Sequence, residues 1–126
     1  MDHGIAHKAS PAEPSLVSLA EIEQAARLLA SVAVRTPLVP VPGLSRTLLV
    51  KPESLQPTGS FKLRGAYTAI SAAGQAAREH GVVAHSSGNH AHAVAYAAAL
   101  LGVHAVVVVP NTAPKVKTDA IEHYGA

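Results

Sequence analysis

The stretch from Val82 to Val109 constrains the fold most. An apolar run, Val82 to His85, leads into the small polar turn Ser86-Ser87-Gly88-Asn89-His90. A helical stretch follows to about Leu101, where Gly102 stops it, and Ala105 to Val109 is a strongly β-branched strand. The same alternation extends in both directions. Upstream, Thr47 to Lys51 has the length and composition of a strand, and the loop Pro52 to Gly59 carries the chain into a helix. Downstream, Ala113-Pro114 opens a third helix with proline at its start, running to Tyr124-Gly125-Ala126. Strands alternating with helices imply right-handed crossovers and an α/β fold, a parallel sheet with flanking helices. Of the 126 residues 48% are hydrophobic and only 3% aromatic, so the core is built from Ala, Val and Leu, which suits parallel packing.

Within this frame Lys62 stands at the opening of a helix. Ser60 reads as its N-cap, preceded by the turn-forming Pro57-Thr58-Gly59, which places Phe61 and Lys62 in the first turn. Exposed N–H groups there oppose a cation, and burial beside Phe61 would act in the same direction, so a lysine so placed is expected to lose its proton more easily. A neutral amine is a nucleophile towards carbonyls. The local sequence by itself favours the plainer reading, a surface lysine whose stem lies along the helix. Leu63, Ala66, Tyr67 and Ile70 share one face, expected to bury against the sheet and leave Lys62 pointing to a cleft. Arg64 faces elsewhere and reads as a solvated charge.

The turn from Ser86 to His90 joins a strand to a helix N-terminus. Backbone N–H groups converge there and Gly88 permits close approach, which makes an anion site fitted to an amino-acid carboxylate. The alternative is that Ser, Gly and Asn merely cap the helix. His85, His90 and His92 make a weak metal site, because positions 90 and 92 of a helix point to different sides and no carboxylate lies close in sequence. No metal is expected.

The rest of the chain sets limits. Residues 1–17 read as a disordered lead without the apolar core of a signal peptide. Ser18 and Glu21 form a capping box for a first helix whose stripe is Ile22, Ala25, Ala26 and Leu29, ended by Arg35-Thr36-Pro37-Leu38. Pro37, Pro40 and Pro42 leave room for at most a short edge strand. The longest apolar stretch, Ala93 to Val109, is broken by Gly102 and His104, so no membrane partner is expected. A net charge of +2 with scattered basic residues argues against nucleic acid. The absence of cysteine excludes disulfides and thiolate metal sites and fits a cytoplasmic location.

The run QPTGSFKLRGA resembles the cofactor-lysine segment of the fold-type II pyridoxal-phosphate enzymes, in particular the serine/threonine dehydratase and serine racemase family. Lys62 falls where that family's Schiff-base lysine falls, with Phe61 before it and Leu63-Arg64-Gly65-Ala66 after it. Sister families, the threonine and cysteine synthases, usually carry aspartate where Leu63 stands. The SSGNHA run resembles the family's asparagine loop, and the likeness covers nearly everything after Ser18.

The resemblance implies pyridoxal 5'-phosphate as cofactor, bound by Lys62, Phe61 and Asn89, with the substrate carboxylate on Ser86, Ser87, Asn89 and His90. It implies Lys62 and Ser87 as the catalytic pair, Ser87 acting as acid or base on the cofactor face opposite the lysine. His92 departs from the pattern, standing where the family usually has glutamine. The implied reaction is β-elimination from L-threonine or L-serine, giving a 2-oxo acid and ammonia. Alternatives are a serine racemase and an inactive module that keeps only carboxylate binding. No Gly-rich phosphate cradle is visible in the chain, and in the family that cradle lies further downstream. The expected organisation is therefore a fragment of a longer, homo-oligomeric enzyme of tryptophan synthase β-like architecture. In it residues 18–45 belong to the larger domain and residues 46–126 form an incomplete smaller α/β domain.

Overall fold

The structure is a computed structural model that describes residues 16–43 and 45–126. Most of the expected lead lies outside the described residues. Helix α1 (Leu19–Leu28) starts at the expected cap. The Ser18 hydroxyl accepts from the Glu21 N–H at 3.3 Å and the Glu21 carboxylate accepts from the Ser18 N–H at 2.7 Å. Those bonds to Ser18 lower the Glu21 pKa.

The helix ends several residues before Arg35. Val32 and Val34 are poor helix formers, and the Val34 N–H and C=O are both taken by the Gln56 side chain, at 2.9 Å and 2.7 Å. The main chain at Val34 is thus committed outside any helix. Of the expected stripe Leu29 is buried, while Ile22 and Ala26 are exposed.

Strands β1 (Val39–Pro40) and β2 (Leu49–Val50) pair antiparallel, Val39 opposite Val50 and Pro40 opposite Leu49. The strand expected over Thr47 to Lys51 is shorter than its sequence pattern and pairs with the proline segment instead of joining the parallel sheet. Prolines lack the N–H that a longer ladder needs.

A short 3₁₀ turn (Glu53–Leu55) precedes the long helix α2 (Lys62–His80), whose helical dihedrals are interrupted at Gly74 (φ 54°). Strand β3 (Val82–His85), helix α3 (Asn89–Leu101) and strand β4 (Ala105–Val108) then form the expected unit. The two strands are parallel, with Val82 opposite Ala105 and His85 opposite Val108. Gly102 closes α3 in the left-handed conformation. Pro114 stands immediately before the first residue of α4 (Lys115–Glu122).

Two apolar clusters meet at α3. One joins Ala93, Val94, Ala97 and Ala98 to Ala66, Ile70 and Ala77 of α2 and to Ala84 and Ala105 of the sheet; the other joins Ala91 and Ala95 to Ile121 of α4. A helix apolar on every side is a central helix, and its small residues allow close approach on each face. The expected buried face of α2 is confirmed at Leu63, Ala66 and Ile70. Gly81, between α2 and β3, is fixed by geometry: its φ is +74°, and a Cβ there would lie 2.7 Å from the His104 carbonyl oxygen. That oxygen accepts the Val82 N–H at 2.9 Å and starts the β3/β4 ladder. No helix of the described residues is long and apolar enough to cross a membrane.

Candidate active site

Lys62 is the first residue of α2, and Phe61 before it already has helical dihedrals (φ −62°, ψ −15°). The Ser60 hydroxyl accepts from the Lys62 N–H at a long 3.4 Å, a weak version of the expected cap. Lys62 is exposed, and its ammonium lies 4.9 Å from the centroid of the Phe61 ring, itself 58% exposed. The described residues therefore offer this lysine an aromatic face, and its exposure matches the plainer reading of a surface lysine, not the burial beside Phe61 that would ease loss of its proton. The next residue, Leu63, is fully buried and anchors the turn from below.

Arg64 is not a solvated charge. Its Nε donates to Glu53 Oε2 at 2.7 Å and its Nη2 donates to Glu53 Oε1 at 2.9 Å and to the Val34 carbonyl at 2.9 Å. Glu53 also accepts from the Thr36 hydroxyl at 2.7 Å and from Gln56 Nε2 at 3.2 Å and 3.3 Å. The Arg64 bonds, helped by Thr36 and Gln56 and opposed by burial, lower the Glu53 pKa to about 2. The same pairing raises that of Arg64. Sequence reasoning missed Glu53, Gln56 and Thr36. The available signal was Arg64 itself, a cation in a first helical turn, which the exposed N–H groups disfavour unless an anion answers it.

The second half of the site is the turn between β3 and α3. The Ser86 N–H donates to the Val108 carbonyl at 3.1 Å, so the parallel ladder runs into the turn and fixes its start. The Ser86 hydroxyl accepts from the Gly88 N–H at 3.2 Å, and Gly88 is extended (φ −130°, ψ −150°) before α3 begins at Asn89. No side chain caps α3, so its first-turn N–H groups keep their capacity for an anion. Ser86 and Ser87 are half-buried; Asn89 and His90 are exposed.

His90 lines a cleft of about 250 Å³ together with Gly65, Ala66 and Ile70 of α2 and Val82, Val83 and Ala84 of β3; Lys62, Ser86, Ser87 and Asn89 do not line it. Among the described residues no hydrogen bond links Lys62 to the turn. His92 points elsewhere: its ring stacks on Tyr124 with centroids 5.5 Å apart. No group of three His, Asp or Glu side chains among the described residues is arranged to hold a metal ion.

This geometry has counterparts. The chain is 42% identical over 116 residues to the catabolic L-threonine dehydratase of Staphylococcus aureus, a match covering 88% of this chain and 34% of that protein. It is 45% identical over 119 residues to an L-threo-3-hydroxyaspartate ammonia-lyase of Pseudomonas, covering 88% of this chain and 36% of the relative. The crystal structure of a serine racemase from Dictyostelium discoideum superposes with a TM-score of 0.82 at 41% identity, over 87% of this chain and 38% of that one. The chain thus spans about a third of the length of the curated relatives it matches. The sequence profile of the pyridoxal-phosphate dependent enzymes matches residues 29–126, which hold both Lys62 and the Ser86–His90 turn, and the chain belongs to that family.

Proposed function

We propose that this chain supplies the cofactor lysine and the carboxylate-binding turn of an ammonia-lyase that converts L-threonine or L-serine to a 2-oxo acid and ammonia. The observation that carries the reading is the arrangement of two helix starts: Lys62 heads α2 and the uncapped Ser86–His90 turn heads α3, and the two helices pack in one core. The donor set fits pyridoxal phosphate. An exposed primary amine answers its aldehyde, and uncapped N–H groups with neighbouring hydroxyls answer an anion.

When bound, the cofactor supplies an electron sink that stabilises the negative charge left by removal of an α-proton. The chain's own residues do the rest. Lys62 would hold the cofactor through Nζ, beside Phe61. Once the substrate amine has displaced it, the freed Nζ would take the substrate α-proton as general base. Asn89 would help to orient the cofactor by hydrogen bonding. Ser86, Ser87, Asn89 and His90 hold the substrate carboxylate at the α3 N-terminus. The β-hydroxyl would leave as water with the proton passed on from Nζ, and the enamine released would take up water to give the 2-oxo acid and ammonia. Residues 46–126 form part of the smaller domain of this enzyme, and residues 18–45 contribute to the larger one.

A second reading, racemisation of serine, rests on Ser87. It is half-buried in the turn and carries a hydroxyl able to return a proton to the opposite face, and serine racemases are among the chain's structural counterparts. The test of the main reading is chemical. Borohydride reduction in the presence of pyridoxal phosphate, followed by peptide mapping, should place the label on Lys62 ahead of Lys8, Lys51, Lys115 and Lys117. Lys62→Ala should abolish ammonia release from both amino acids. Even labelling of all five lysines overturns the assignment.

A further inference from the structure

Among the described residues only a 4.9 Å contact with the exposed Phe61 ring bears directly on the orientation of Lys62. The helix has no side-chain cap at Phe61, the Ser60 contact is 3.4 Å, and Phe61 and Lys62 are both exposed. Two neighbours are fixed, Leu63 by burial and Arg64 by its side chain. The Arg64 fork closes the whole lysine loop: Glu53 stands at the start of the loop and Arg64 in the first turn of the helix, with two parallel bonds between them. A fork-to-fork pair fixes angle as well as distance, which a single contact does not.

The pair is itself braced. Thr36, 4% exposed, donates to Glu53, and Gln56 holds both main-chain groups of Val34. Arg64 donates to the Val34 carbonyl as well, and Lys51 donates to the Thr36 carbonyl at 2.8 Å. Segment 34–36 is therefore a fixed rail on which both ends of the lysine loop are mounted.

We propose that Glu53, acting through Arg64, is a positioning residue that sets the direction in which Lys62 leaves the head of α2. This rests on Lys62 being the cofactor lysine. Glu53 does not touch the reacting atoms. Its contribution is to remove rotational freedom from the first turn, and a small misplacement of a reacting group can cost on the order of a hundredfold in rate.

The experiment compares the unsubstituted holoenzyme with Glu53→Gln and Arg64→Lys. After removal of the cofactor, pyridoxal phosphate is returned and its bonding to Lys62 is followed by cofactor absorbance and by borohydride trapping with peptide mapping. Glu53→Gln should slow bonding at Lys62 by about tenfold or more and lower kcat with little change in KM. Arg64→Lys keeps the charge but loses the fork, and should show the same defect with the fold retained, as judged by circular dichroism. Bonding rates equal to those of the unsubstituted protein in both folded variants overturn the proposal, even if both variants melt at lower temperature. Full rescue by lysine at position 64 also overturns it. Failure of the unsubstituted protein to bond the cofactor at Lys62 overturns instead the reading of Lys62 on which the proposal rests.

Discussion

Glu53 and Arg64 face each other across the lysine loop, Oε2 2.7 Å from Nε and Oε1 2.9 Å from Nη2, with both side chains largely shielded from solvent. Eleven positions separate them in the chain. Everything between, the 3₁₀ turn, the Pro57-Thr58-Gly59 turn and Lys62, hangs from that pair. The pH dependence of the fold should report it. The Glu53 pKa is lowered from 4.5 to about 2. A depressed carboxylate contributes stability that is full above its unfolded value and is lost as pH falls through its folded one. The protein should therefore lose part of its stability between pH 4.5 and about pH 2. Urea midpoints measured across that window should fall less steeply for Glu53→Gln than for the unsubstituted protein. Parallel curves would show that Glu53 is not the group responsible.

Removing Arg64 tests the same pair from the other side. Arg64→Ala leaves the Glu53 carboxylate with its hydrogen bonds from Thr36 and Gln56 and a 3.7 Å ion pair with Lys51. The loss should be roughly 1.5–3 kcal/mol, the range for hydrogen bonds to charged groups. Chemical denaturation gives the value. A change below about 0.5 kcal/mol, the scale of an unremarkable surface substitution, would return Arg64 to the role of a solvated charge.

Two glycines make opposite predictions. Gly81→Ala places a methyl against the His104 carbonyl and forces a side chain into φ +74°, ψ −170°, a region open in practice to glycine alone. The cost should be about 1–3 kcal/mol from backbone strain, with the clash added. Gly65 lies inside α2 with nothing within 4 Å of a Cβ. There, alanine should stabilise the fold by about 0.5–1 kcal/mol through helix propensity. Melting of the two variants side by side decides, and equal effects would refute the β3/β4 geometry described at Gly81.

These contrasts show what was legible in the sequence. The β3-α3-β4 unit could be read because each signal was local: a β-branched run, a glycine stop, an alanine-rich helix. The placing of Lys62 and of the Ser86–His90 turn at helix starts could be read because short motifs carry them. The Glu53, Gln56 and Thr36 network could not, because apart from the Gln56–Glu53 contacts its bonds span from 11 to 30 positions and its residues are individually common in loops. The length of β2 failed for a related reason. Its apolar pattern fits a strand, but the ladder is limited by the prolines of its partner, which lie about ten positions away.

The departure at position 92 also has a structural answer. Tyr124 lies under the His92 ring at 5.5 Å, meets Tyr96 edge-on at 5.1 Å and His123 at 5.0 Å. His92 is thus an anchor between α3 and the segment after α4, on a side of the helix away from the groove that His90 lines. A double-mutant cycle between His92→Ala and Tyr124→Ala should give a coupling of about 0.5–1.5 kcal/mol. His92→Ala should leave cofactor bonding at Lys62 unchanged. Zero coupling would remove the stacking explanation and reopen a role for His92 in the turn.

Ser87 separates the two chemical readings. Elimination needs a base on the Lys62 side and a hydroxyl that departs, and nothing need act on the other face. Racemisation needs a second group, placed opposite, to return the proton from there, and the half-buried Ser87 hydroxyl is the candidate that the turn offers beside the His90 imidazole. In the holoenzyme Ser87→Ala should therefore remove the interconversion of L- and D-serine while most of the ammonia release from L-serine survives. Chiral chromatography of the remaining serine, run beside an ammonia assay, measures both from one sample. Equal loss of the two activities would show that Ser87 serves chiefly to hold the carboxylate. Unchanged racemisation would mean that the proton on the far face comes from elsewhere.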